Sequence, residues 1–277
     1  MLLIGLKDNQ LIKYGLIVLE NILVMNYVTC IVPVAPLREE AAQRSQMTSQ
    51  LLFGECATIL QSTKDFMQIK SLYDGYEGWC QSSQLIAVDE NFTIENHKEI
   101  STDAFNTILL DNKKMILPQG SFLGAMNDEY LQIGSHKFEY KGNIIGFEKL
   151  TTKEQLFNIA EPYLNTAYLW GGKSIFGIDC SGFVQQVYKM LGIVLPRDAY
   201  QQVTIGESVG FLEEVQLGDL AFFDNAEGRI THVGIMLNPQ EIIHASGKVR
   251  IDNIDNMGIV NSDTELRTHQ LRIIKRI

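Results

Sequence analysis

Cysteine is scarce. Cys30, Cys56, Cys80 and Cys180 are the only four in 277 residues, too few for a disulfide scaffold. No Cys-x-x-Cys pair offers a zinc or redox site. A Cys30–Cys56 or Cys56–Cys80 bridge stays open; otherwise these three cysteines read as small buried hydrophobes. Basic charge is also short. The 23 Lys and Arg residues stand against 33 Asp and Glu, for a net charge of -10, and no basic stripe is visible. That argues against nucleic-acid binding through phosphates. Long apolar runs are missing too. Leu11 to Met25 is apolar-rich, but Lys13, Glu20 and Asn21 interrupt it, leaving it too short and too polar for a stable membrane span. It also lacks a basic start followed by a small-residue cleavage site. Residues 1–25 therefore read as a leader of uncertain status, or as upstream of a translation start at Met25. The expected location is cytoplasmic, with a periplasmic or exported protein as the alternative if the leader is a signal. Hydrophobic residues at 45% and charged residues at 20% are near globular averages, which argues against disorder.

The length suggests about two domains, or more if some are small β modules. Residues 26–95 read as short strands with turn punctuation, the pattern of a small barrel. Tyr27 to Val34 forms one predicted strand, with others at Ala57-Thr-Ile-Leu and Phe66-Met-Gln-Ile-Lys. Gly54-Glu55 marks a turn, and Asp74-Gly75 marks a hairpin before Tyr76-Glu-Gly-Trp79. A second small β module spans 100–150, with strands near Ile108, Met115, Tyr130 and Asn143; it reads as a divergent repeat of the first. From Thr151 the texture changes to α+β. Lys153 to Leu164 has helical periodicity, and residues 151–277 form the third unit.

The chemistry lies in Tyr168-Leu-Trp-Gly-Gly-Lys-Ser-Ile-Phe-Gly-Ile-Asp-Cys-Ser-Gly-Phe183. Asp179 is a good N-cap. Phe183, Val187 and Leu191 then recur every four residues, and Gly192 fits the position just past a helix end. Cys180 thus sits in the first turn of a helix, where free N–H groups and the helix dipole favour an anion. A thiolate there is expected to have a depressed pKa. Gly171, Gly172 and Gly177 are expected to let the backbone approach a substrate closely.

A cysteine nucleophile needs an imidazole. His97 and His136, in the β modules, and His269, near the C-terminus, read as surface or structural histidines. His232 starts the apolar run Val233 to Leu237, and His244 ends Glu241-Ile-Ile-His244, with an Asn238-Pro239-Gln240 turn between them. A turn centred on Asn238 makes His232 and His244 direct cross-strand partners on one sheet face. One would then act as base and the other would orient it. No third ligand is spaced for zinc, so neither a metal nor a cofactor is expected.

Asp179-Cys-Ser-Gly-Phe183, Tyr168-x-Trp-Gly-Gly172, Leu195-Pro-Arg-Asp198, Gly218-Asp-Leu-Ala-Phe-Phe223, and His232 with His244 together resemble the NlpC-type papain-like cell-wall cysteine peptidases over Thr151 to Asn253. Gln50-Leu-Leu-Phe-Gly-Glu55 and Asp74-Gly-Tyr-Glu-Gly-Trp79 resemble a bacterial SH3-like domain. That pairing resembles the γ-D-glutamyl-L-diamino acid endopeptidases, or dipeptidyl-peptidase VI. The resemblance implies a papain-like α+β domain behind one or two SH3-like barrels, and cleavage of murein peptides that carry a free N-terminal L-Ala. It implies Cys180 as nucleophile, His232 as base and acid, and His244 as its orienter. Tyr168 and the Cys180 N–H would hold the oxyanion. Trp170, Asp179, Ser181, Arg197 and Asp198 become pocket positions, and Asp179 a possible acceptor for the substrate amine. Tyr76 with Glu39 or Glu40 would read that amine from the first module. Ala199 departs from the family's usual Ser. Two alternatives remain, a non-catalytic wall-binding protein and an amidase or acyltransferase on the same fold.

Overall fold

A computed structural model describes residues 26–147 and 153–277. The expected leader and the expected junction at 150–151 lie outside the described residues. Among the described residues, no helix is long and apolar enough to cross a membrane.

The first sheet contains β1 (Tyr27–Cys30), β2 (Val34–Arg38), β3 (Met47–Leu52), β4 (Cys56–Ser62), β5 (Phe66–Ser71), β6 (Glu77–Gln81) and β7 (Leu85–Val88), in the order β3-β2-β6-β5-β4-β1-β7. The single strand expected over Tyr27 to Val34 is two strands. Pro33 stands between them, and proline donates no ladder hydrogen bond. Val28, Ala35, Leu37, Leu51 and Ile69 fill the core. Cys30, Cys56, Cys80 and Cys180 are all free and buried, so neither bridge left open by the sequence exists.

A helix the sequence reading missed, Glu90–Asn96, is capped by Asp89, whose carboxylate accepts from the Phe92 N–H. It leads into β8 (Glu99–Ser101), β9 (Phe105–Leu110), β10 (Lys113–Pro118), β11 (Met126–Asn127), β12 (Tyr130–Ile133), β13 (His136–Tyr140) and β14 (Ile144–Gly146). The sheet order β10-β9-β13-β12-β11 repeats the order β3-β2-β6-β5-β4 with every index raised by seven, so the two modules share a five-strand topology.

The third unit begins with 3-10 turns flanking a short helix, Leu156–Ala160. The longer helix expected to run to Leu164 is cut short at Pro162, which opens the second 3-10 turn and has no N–H to continue an α ladder. After β15 (Lys173–Ser174) and β16 (Gly177–Ile178) comes the helix Cys180–Met190, buried along its whole length. The short helix Ala199–Gln202 follows. The last sheet contains β17 (Glu207–Val209), β18 (Leu220–Asp224), β19 (Ile230–Asn238), β20 (Glu241–Ser246), β21 (Lys248–Asp255), β22 (Gly258–Val260) and β23 (Arg267–Arg276). Its order is β17-β23-β18-β19-β20-β21-β22, and a further β22–β23 pairing closes it on itself. One face of β19 and β20, with Val233, Ile235, Ile243 and Ala245, packs on the long helix through Phe183, Val184 and Val187. The other face points into the closed sheet with Phe223, Met236, Ile242 and Ile254.

Buried charges join the three units. Glu55 of the first module accepts from Lys189 at 2.8 Å and Lys173 at 3.4 Å, all three being essentially inaccessible to solvent. Asp74 lies 3.7 Å from Lys173 and accepts from Gln185 at 3.0 Å. The Lys189 ammonium also sits 4.1 Å from the centre of the Phe122 ring, which belongs to the second module. Burial pushes the Glu55 carboxyl up, but the two lysines outweigh it and hold its pKa below the usual value. Removing one member of such a cluster strands the others without water. Glu55→Gln should lower stability by about 3 kcal/mol, seen as a lower urea midpoint. An unchanged midpoint would show that the joint does not depend on this anion.

Candidate active site

The site begins at a helix cap. One carboxylate oxygen of Asp179 accepts from the Gly182 N–H at 2.7 Å, and the other accepts from the Gly171 N–H at 2.8 Å. The fork of Arg197 closes on both oxygens, at 3.0 and 2.6 Å. Arg197 also donates to Ser181 Oγ and, through Nε, to Ser49 Oγ of the first module at 3.1 Å. Arg197 is fully buried behind the cleft rather than lining it. Both oxygens of Asp179 are thus engaged by the protein, and the residue also lines the cleft beside Cys180.

The glycines also differ from expectation. A Cβ on Gly172 would come within 2.3 Å of the Gly177 carbonyl, and one on Gly171 within 2.9 Å of the Met47 carbonyl. Their bareness lets protein backbone meet protein backbone, not substrate.

Cys180 stands at the helix start with its sulfur almost wholly enclosed. Burial pushes the thiol up to about 12, and the Asp179 carboxylate adds to the rise. The N–H groups of Val233 and Ser181, with Arg197, oppose this without reversing it. This corrects the depressed pKa expected from the helix dipole. Desolvation and the capping anion together exceed the pull of a few peptide dipoles. The Val233 N–H belongs to the peptide link with His232, so the sulfur abuts the His232 backbone. Among the described residues, no direct hydrogen bond joins the sulfur to the His232 ring.

His232 and His244 share one sheet face, but not the expected register. A bulge between Met236 and Asn238 and a longer turn place His244 opposite Gly234. The offset of two residues preserves the face. His232 Nε2 lies 2.8 Å from His244 Nδ1. His244 Nε2 lies 3.0 Å from an oxygen of Asp252, a residue the sequence reading did not single out. Asp252 pairs with Ile242 across β20–β21 and so points to the same face as His244. The signal was present: Ser246-Gly247-Lys248 is a tight turn that fixes this register. His269, expected as a surface or structural histidine, stacks its ring on His232 with centroids 4.1 Å apart and planes 24° from parallel. Burial lowers the pKa of His232 well below its ordinary value, and His244 and His269 lower it further. The resting pair is therefore a neutral thiol beside a neutral imidazole.

A cleft of about 420 Å3 opens at the sulfur. Tyr168, Trp170, Asp179, Cys180, Ser181, Asp198, Ala199, Tyr200, Ile230 and Thr231 line it from the third unit, and Gln46, Thr48 and Tyr76 from the first. Glu39 and Glu40 are exposed and are not among its lining residues. Tyr168 is half-buried; burial and then the neighbouring Cys180 push its hydroxyl pKa up, so it remains a donor. Among the described residues, no group of three or more His, Cys, Asp or Glu is arranged to hold a metal ion.

A capped nucleophile helix packed on a closed sheet that supplies an imidazole pair defines a papain-like cysteine peptidase. The NlpC/P60 family model matches residues 165–267, and a model described as the bacterial dipeptidyl-peptidase SH3 domain matches residues 37–85. A probable endopeptidase of Haemophilus influenzae is 35% identical, covering 43% of this chain and 70% of its own. The γ-D-glutamyl-L-lysine dipeptidyl-peptidase of Bacillus cereus is 27% identical over 73% of this chain and 68% of its own. The dipeptidyl-peptidase 6 of Lysinibacillus sphaericus is 26% identical over 80% and 89%. A crystal structure of an NlpC/P60 family protein from Bacillus cereus shares the fold, with a TM-score of 0.75, 20% identity, and coverage of 90% of this chain and 99% of that one. The chain belongs to the NlpC/P60 family of cysteine peptidases, with an SH3-like region ahead of the catalytic domain.

The neutral resting pair has a direct consequence. Alkylation of Cys180 by iodoacetamide in the free enzyme should keep rising with pH beyond 9. A rate already at its plateau by pH 6 would show a preformed thiolate.

Proposed function

We propose that the protein cleaves the γ-D-glutamyl–diamino acid bond of murein peptides whose N-terminal L-Ala carries a free amine. The observation that carries this reading is the closed end of the cleft. Gln46, Thr48 and Tyr76 of the first module line it on one side, and Asp198, the N-cap of the helix Ala199–Gln202, lines it from the catalytic unit. Asp179 is paired with Arg197, and Asp198 is a second acidic residue of the lining that could meet an ammonium. Burial raises the pKa of Asp198, with Arg197 opposing and Asp179 adding. A bound ammonium would favour its charged form. The names of the relatives from Bacillus and Lysinibacillus support the same substrate class.

The mechanism follows from the donors and acceptors. The Cys180 sulfur attacks the γ-carbonyl carbon as its proton passes to Nδ1 of His232. The carbonyl oxygen becomes an oxyanion held by the Tyr168 hydroxyl and the Cys180 N–H, which starts the helix and so has no intrahelical acceptor. His232 returns the proton to the diamino acid nitrogen as the C–N bond breaks, leaving a thioester. Water then attacks, giving its proton to His232, and the thiol is regenerated with L-Ala-γ-D-Glu as product. Trp170 and Tyr200, both exposed at the rim, offer apolar faces to the peptide.

Digestion of L-Ala-γ-D-Glu-diaminopimelate with product mass spectrometry tests this. The dipeptide should be released, Cys180→Ala should abolish release, and N-acetylated substrate should not turn over. Equal rates on free and acetylated peptides would overturn the closed-end reading. Asp198→Asn removes a charge-assisted hydrogen bond worth about 2 kcal/mol, so KM should rise on the order of 30-fold with kcat less affected.

A further inference from the structure

We propose that Asp252 is a positioning residue that fixes, through His244, which nitrogen of His232 is free to take the thiol proton. The inference rests on the cysteine-peptidase reading and adds a residue to it.

The argument is one of donors and acceptors along a line of three side chains on adjacent strands. Asp252 is buried, and its four hydrogen bonds are all received. Oδ1 takes Arg250 Nε at 3.0 Å, Arg250 Nη2 at 2.9 Å and the Ser262 N–H at 2.9 Å. Oδ2 takes His244 Nε2 at 3.0 Å. Burial alone would raise its pKa, but these bonds hold it well below the carboxylate range, so the group is ionised. An ionised carboxylate can only accept, so His244 must carry its proton on Nε2. A neutral imidazole with a proton there has its lone pair on Nδ1. That lone pair lies 2.8 Å from His232 Nε2, which must therefore donate. His232 is left with its lone pair on Nδ1, the nitrogen not engaged by His244.

Without the anion the line loses its direction. His244 could carry its proton on Nδ1 and donate to His232 Nε2. His232 would then hold its proton on Nδ1, where the base must be empty. The same contact distances serve both arrangements, so geometry alone does not choose between them. Other charged or titratable groups face this line. His269 stacks on His232 from β23, Arg250 lies on the strand of Asp252, and Asp263 pairs with Arg250 at 3.0 Å. None of these accepts a hydrogen bond from His244, so none can replace Asp252 in setting the direction.

The test uses the full chain with 15N-labelled histidine. In the wild type at pH 7, NMR should show His232 and His244 both protonated at Nε2. In Asp252→Asn, the His232 signal should shift toward the Nδ1-protonated form. Its kcat should fall about 10²-fold, with KM within about threefold, and Asp252→Glu should recover part of the loss. A wild-type His232 protonated at Nδ1 would overturn the proposal without recourse to any variant. So would an Asp252→Asn enzyme with unchanged tautomer and unchanged kcat. The NMR measurement needs no substrate, so an error in the assigned substrate leaves it intact.

Discussion

The Asp179 carboxylate is the point on which the site turns. It caps the helix that presents Cys180, it fixes the preceding loop through the Gly171 N–H, and it receives the fork of a fully buried arginine. A buried guanidinium without an anion would be expelled or would draw in water, so each charge is a condition for the other. Arg197 extends the arrangement by bonding Ser49, which ties the nucleophile loop to the module that walls off the cleft. The cap, the loop and the wall are thus held by one ion pair.

The same anion works against the nucleophile's charge. It lies beside the sulfur and, with burial, keeps the thiol protonated at rest. Reactivity then depends on a base able to accept a proton during attack. The closed sheet supplies this by lowering the pKa of His232 so that it is neutral. A thiol kept protonated until a carbonyl arrives is also protected from oxidants, which attack the thiolate. Enclosure costs intrinsic nucleophilicity and gains selectivity in what the sulfur meets.

Much of this was legible in the sequence where local rules dominate. Asp179 before an apolar four-residue period is a helix cap, and the Asp74-Gly75 turn is a hairpin. His232 and His244 fall on one face because a sheet face repeats every second residue, so an error of two in register was harmless. Asp252 was legible in principle through the turn at Gly247, but a lone Asp in an alternating strand is usually solvent-facing. His269 was not legible. Its position against His232 depends on β22 and β23 closing the sheet, a long-range pairing that no local pattern encodes. The thiol pKa was misjudged for a similar reason, since a helix start can be recognised in sequence and the depth of its burial cannot. Glu40, expected from the resemblance at the amine end of the cleft, is exposed and is not among its lining residues.

The buried joint is what would let the first module discriminate in the way proposed. A module on a flexible tether would yield to an extra residue at little cost, and its position would be an average over many placements. Here Glu55 and Asp74 reach two lysines of the catalytic unit, and Phe122 of the second module packs against one of those ammonium groups. Charges buried this deeply are intolerant of displacement, because moving one by a few ångströms leaves it unpaired in a low-dielectric interior. The joint thereby holds Gln46, Thr48 and Tyr76 at a fixed distance from the sulfur. On the proposed function, a fixed wall would convert the length of a peptide into a steric limit, and an acidic residue of the lining would convert the charge at its end into binding. On that reading, selection for a free amine would then need no moving part, only two units held rigidly against each other.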